Sequence, residues 1–124
     1  MQFMVLIYND SSLHEKLTDG EADDMMRECF THADHLAQNG KLLESRMLEG
    51  AETARSVRIR DGRTSTMDGP FSEAKEVLGG FNLIEAADMD EALRIATGFP
   101  WARTGRVEVR PVRDISAVRK RVAR

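Results

Sequence analysis

Asp68, Glu73, Lys75 and Glu76 place acid, base and cation within nine residues of one another. They sit in "TMDGPFSEAKEVLGGF", Thr66 to Phe81, where "DGPF" sets a carboxylate beside Gly69, Pro70 and Phe71. Held on a rigid loop toward a cleft, such a set binds a polar ligand. It also moves a proton, if burial shifts a pKa toward neutrality. Asp68 is the candidate acid/base group or ligand acceptor. Phe71 is the candidate wall, and Gly69, Pro70, Glu73 and Lys75 border the same cleft. A mechanical reading uses the same residues. Asp68 bonds backbone N–H groups two residues on, Gly69 permits unusual φ, Pro70 fixes φ, and Phe71 plugs the core. Both readings stay open.

A second candidate lies near the end of the chain in "RVEVRPV". Strand alternation points Val107 and Val109 toward one face and Arg106, Glu108 and Arg110 toward the other, with Tyr8 and Asn82. Arg110 is the candidate contact for a carboxylate or phenolate. The competing reading is a structural Glu–Arg network or an exposed strand edge.

Histidine supplies a third pattern. At about 100° per residue, Glu28, His32 and His35 lie within about 60° of one another on a helix, with Asp24 extending the stripe. That spacing suits metal ligands. The stripe lies away from the helix's apolar face, however, so it reads as solvated and no metal is assigned. His14 falls in a polar loop without a nameable partner. Cys29 sits mid-way along the apolar face and reads as core, as does Trp101. The chain has no phosphate-binding glycine loop, nucleotide fingerprint or nucleophile-elbow serine, and no cofactor is expected.

These residues need elements to hold them. "QFMVLIY" is apolar at nearly every position and reads as a strand buried on both faces. "NDSSLHEKLTDG" reads as a loop, and Thr18 with Glu21 forms a capping box. Apolar residues at 22, 25, 26, 29, 30, 33, 36 and 37 then follow helical spacing until Gly40. "KLLESRML" is a short strand. "TARSVRIR" and "RTSTM" flank Asp61-Gly62 as a hairpin. "SEAKE" adds a turn of helix, and "GGFNLIEA" is a further strand. Asp88 and Glu91 cap a second helix, "MDEALRIATG". "RVEVRPV" is the last main strand, and residues 113–124 form a basic extension, a short helix or tail. The expected fold is α+β, a ferredoxin-like sandwich with an inserted β-hairpin. The first strand has two apolar faces, and the helices cover one. A second copy covers the other most simply, making a homodimer with sheets face to face.

The 124 residues suit one domain, and 41% hydrophobic with 31% charged residues suits a folded chain. No apolar run approaches the roughly 20 residues that span a bilayer, so no membrane role is expected. The start lacks a basic segment before its apolar run and reads as a strand rather than a signal peptide; a cytoplasmic location is expected. The net charge of −3 divides unevenly: residues 1–100 hold 10 Lys/Arg and 19 Asp/Glu, residues 101–124 hold 8 and 2. The acidic body and the lack of aromatics near the basic run argue against nucleic acid as a partner.

Four separated segments, "MQFMVLIY", "TMDGPFSEAKEVLGGF", "DMDEALRIA" and "GRVEVRPV", resemble the DGPF-motif branch of the YCII-related family over residues 1 to about 112. The resemblance implies a dimeric α+β barrel. It implies binding, with or without transformation, of a small organic molecule; some relatives act in small-molecule breakdown. The alternative is a non-catalytic regulatory or interaction module, since members with this motif are often encoded beside alternative sigma factors. The relatives' suspected catalytic histidine and aspartate fall at Glu28 and Gln38, where neither residue is kept, so that chemistry is not carried over.

Overall fold

The structure is a computed structural model that describes residues 1–69 and 75–124. Pro70, Phe71 and Glu73, and the helical turn expected over "SEAKE" up to Ala74, lie outside the described residues. In chain order the elements are β1 (Gln2–Asp10), α1 (Ser11–His14), α2 (Asp19–Gln38), β2 (Leu42–Met47), β3 (Arg55–Arg60), β4 (Arg63–Asp68), β5 (Glu76–Glu85), α3 (Met89–Thr97), β6 (Gly105–Pro111) and α4 (Ser116–Val122). Short 3-10 helices cover Ala51–Thr53 and Pro100–Arg103. The fold is α+β. Four strands form an antiparallel sheet in the order β2-β5-β1-β6, and β3 with β4 forms a separate hairpin. The sheet is open, so the described chain does not close a barrel by itself.

Alternation along β1 decides where the core lies. Phe3, Val5 and Ile7 are buried, and Met4, Leu6 and Tyr8 are half-buried on the opposite face. Met25, Cys29 and Leu36 of α2 pack on the first set, together with Ile84 of β5 and Ala92, Ile95 and Ala96 of α3. Phe99 and Trp101 close one end of this core. Val107 and Val109 pack against the same core, as alternation in β6 requires. Three members of the apolar helix pattern do not join it: Ala22 is half-buried outside the cluster, Phe30 is 55% exposed and Ala37 is exposed. The sheet reaches only part of the helix's apolar stripe, and beside Phe30 a cleft opens instead.

The caps explain the helix starts. Thr18 Oγ1 accepts from the Glu21 N–H while Glu21 accepts from the Thr18 N–H, each at 3.1 Å. Asp88 accepts from the Glu91 N–H at 2.9 Å. The Glu91 carboxylate does not complete a capping box; it takes Lys41 at 2.8 Å and the Ala87 N–H at 3.4 Å. That ion pair ties α3 to the start of β2. The segment expected as a loop after β1 holds α1, because the Asp10 carboxylate accepts from the Ser12 N–H and hydroxyl at 2.9 and 2.6 Å. The hairpin turn has Asp61 and Gly62 at φ 52° and 74°, as a type I′ turn demands. No helix among the described residues is long and apolar enough to cross a membrane.

Candidate functional site

A cavity of about 350 Å³ lies between α2 and the β2–β5 side of the sheet. The helix presents Met26, Cys29, Phe30 and Ala33, one face at i, i+3, i+4 and i+7. Opposite them are Ile7, Gly79 and Gly80, with Ser45, Met47 and Leu48 along the edge strand. Met47 and Leu48 are 60% and 45% exposed, so the rim is apolar and open.

Two glycines make the room. The β1–β5 register slips where Ile7 faces Gly80 and Tyr8 faces Leu78, leaving Gly79 as an extra residue. A Cβ at Gly80 would stand 2.7 Å from the Arg46 carbonyl oxygen, so a side chain there would push β2 away. A Cβ at Gly79 would collide with the Asn9 side chain.

The polar groups of the cleft are few. Asn82 is only 6% exposed. It pairs across strands with Ser45, whose hydroxyl donates to Asn82 Oδ1 at 2.7 Å. This corrects the placement of Asn82 with Tyr8. Asn82 stands opposite Val5, whose side chain is buried in the core, and so shares its face. At the mouth are Asn9 and His14. Cys29 lies in the wall, and Trp101 Nε1–H donates to its sulfur at 3.3 Å. Burial pushes the Cys29 thiol above its ordinary pKa, with the Trp101 hydrogen bond opposing. The thiol is therefore protonated at neutral pH and is not a ready nucleophile.

The described members of the two candidate sites, Asp68, Gly69, Lys75, Tyr8, Glu108 and Arg110, do not line this cleft. Asp68 ends β4, 86% exposed at its side chain, with its carboxylate 3.3 Å from Arg55. Gly69 has φ 80°; its N–H donates to the Ala54 carbonyl and its own carbonyl accepts from Ser56 Oγ. Lys75 is exposed. Tyr8, Arg106, Glu108 and Arg110 share the outer face of the sheet. Arg106 crosses the Tyr8 ring, 4.3 Å above its centroid, to reach Glu76 on β5 at 3.2 Å. It also bonds Glu108 at 3.0 Å, and Glu108 holds Arg110 at 3.4 Å. This ladder follows the Glu–Arg network reading.

Nor does the histidine stripe converge. Glu28 pairs with Arg103, and His35 is exposed. His32 is not solvated as the helical projection implied. Its Nε2 lies 2.8 Å from the Ile95 carbonyl oxygen, and its ring meets Phe99 edge-on at 4.6 Å. α3 and the turn after it supply a second surface that a single-helix projection omits. Among the described residues no group of three or more His, Cys, Asp or Glu could hold a metal ion.

Sequence reasoning missed the cleft, although two signals pointed toward it. A Gly-Gly pair inside an apolar strand marks a bulge or a close backbone approach. Asp10-Ser11-Ser12 is a helix start that brings His14 to the rim.

The sequence model of the YCII-related domain matches residues 1–116. An uncharacterized protein of Rhizobium meliloti (strain 1021) is 39% identical over 114 residues, covering 90% of this chain and 92% of the relative.

Proposed function

The chain belongs to the YCII-related family, and from that premise and the shape of its cleft we propose that it binds a small, mostly apolar organic molecule between α2 and the β2–β5 edge. The observation that carries this reading is the cavity of about 350 Å³ whose apolar walls surround a buried amide, Asn82. Ligand sites are typically of this kind: roughly 300–1,000 Å³, apolar, with a few placed polar groups. Asp68 and Arg110 stand outside this cavity, so the reading places the ligand on the helix side of the sheet. A thermal-shift screen of small aromatic and alicyclic compounds tests it. Hits should be lost in Ala33→Phe, which fills the cleft, and kept in Asp68→Ala and Arg110→Ala. Hits that survive Ala33→Phe unchanged place the ligand elsewhere.

A second copy of the chain is the proposed partner. Met4, Leu6 and Tyr8 form a half-exposed apolar band on the outer face with Leu78, Phe81 and Leu83. The Arg106–Glu108–Arg110 ladder borders one side and Glu44–Arg46 the other. The strand order β2-β5-β1-β6 supports the ferredoxin-like reading, and two such sheets packed face to face would make the dimeric α+β barrel. A monomeric mass in solution at micromolar concentration rules this out, and Leu6→Lys should convert a dimer to monomers.

A further inference from the structure

The proposed ligand site carries a more specific chemistry, at Asn82 and Ser45. An asparagine amide offers one acceptor oxygen and two N–H donors, and a serine hydroxyl offers one donor and two lone pairs. Ser45 spends its proton on Asn82 Oδ1. Ser45 Oγ is left with lone pairs only. The Asn82 N–H groups make no hydrogen bond among the described residues, although Asn82 is 94% buried and borders the cleft. The amide nitrogen is not sealed from solvent, since Thr104 Oγ1 alone is a buried side-chain N or O atom without a partner among the described residues; the Asn82 N–H groups therefore open onto the cleft, where water or a ligand answers them. One donor and one acceptor therefore stand side by side, Asn82 on the cleft floor and Ser45 at its exposed edge. Turning the amide over exchanges the two roles and leaves the same pair.

Charge narrows the class further. Among the described residues no Asp or Glu lines the cleft, so an ammonium group finds no counter-ion among them. Of the described lining residues only His14, Cys29 and Arg46 are ionisable. Strand alternation puts the Arg46 side chain on the opposite face, where it pairs with Glu44 and with the Ser45 carbonyl. His14 is at the mouth, and the Cys29 thiol is neutral. A carboxylate on the floor would have only acceptors to offer, against a lone pair, with no cation beside it, and burying it so is costly.

Resting on the cleft reading above, we propose that the site selects an uncharged molecule bearing a hydroxyl on an apolar frame. The ligand oxygen accepts from Asn82 and its proton goes to Ser45, so that one atom satisfies both groups. Asn82 and Ser45 are the specificity-determining residues.

Benzyl alcohol, toluene and benzoate at pH 7 are matched probes, titrated against the whole chain by NMR. Benzyl alcohol should bind about tenfold more tightly than toluene, the equivalent of about 1.4 kcal/mol, and benzoate should not bind. Asn82→Leu should equalise the two neutral probes. Ser45→Ala, at the exposed edge strand where folding is undisturbed, should lower the preference several-fold. Toluene binding as well as benzyl alcohol, or benzoate binding better, overturns the inference while leaving the cleft reading intact. If no probe perturbs the cleft at millimolar concentration, the cleft reading falls, and the inference with it.

Discussion

Substituting Gly98 by alanine should destabilise the protein, and the same substitution should stabilise it once His32 is removed. Gly98 ends α3 with φ −73° and ψ −18°, a conformation alanine adopts freely. By itself the change should help, by about 0.4–1 kcal/mol, because alanine restricts the unfolded chain. A Cβ there, however, would overlap the His32 ring. The ring must leave. It then loses its hydrogen bond to the Ile95 carbonyl, worth about 0.5–1.5 kcal/mol, and its edge contact with Phe99, worth about 0.5–1.5 kcal/mol. The Ile95 oxygen keeps the Gly98 N–H as a partner, so no buried acceptor is orphaned. The net loss centres on about 1 kcal/mol, a fall in Tm of about 3–6 °C for a chain of this size. In His32→Ala the obstacle is gone, and Gly98→Ala should raise stability. The double-mutant cycle therefore reverses sign, with a coupling of about 2 kcal/mol. Urea and thermal denaturation followed by circular dichroism measure it. Equal destabilisation in both backgrounds refutes the clasp between α2 and α3, and reopens His32 to the role of a solvated ligand.

Two further outcomes follow from titratable groups. Cys29 should be alkylated by iodoacetamide at pH 8 at least about tenfold more slowly than a free thiol, since burial disfavours the thiolate; a rate matching free cysteine would show that the wall around it is open. Asp10, Glu91 and Asp114 are held below the ordinary carboxylate range, chiefly by Ser12, Lys41 and Ser116 respectively. Their folded pKa values lie below the unfolded ones of about 4, so their contribution is full above about pH 4 and is lost as pH falls through the lower folded values. Glu91→Gln combined with Asp10→Asn should flatten the loss of stability in acid, and an unchanged slope assigns it to other groups.

Much of the fold was legible because its signals are local. The capping positions Thr18 and Asp88, the Asp61-Gly62 turn and the period-two pattern of β6 each involve residues a few positions apart, whose physics does not depend on the rest of the chain. Thr18 with Glu21 and Val107 with Val109 behave as those patterns require. The exposed ladder of Arg106, Glu108 and Arg110 was legible for the same reason. Asp10 was misjudged because the loop reading weighed polarity above the cap.

The sequence by itself determined the order of the six strands and the two long helices, the hairpin, and the family. Only the tertiary structure decided which polar residues are buried, Asn82 and Thr104 among those described, which histidine is packed, and where the space is. Asn82 looks like a surface residue in a list of side chains. It becomes the floor of a cleft because Val5 and Ser45, 77 and 37 positions away in sequence, flank it in the sheet. His32 becomes a clasp because α3 arrives 63 residues later. The cavity exists because β5 carries one residue more than β1 needs, with Gly79 against the Asn9 side chain of β1 and Gly80 where β2 comes close. Space between elements depends on long-range register and packing, and no single segment encodes it.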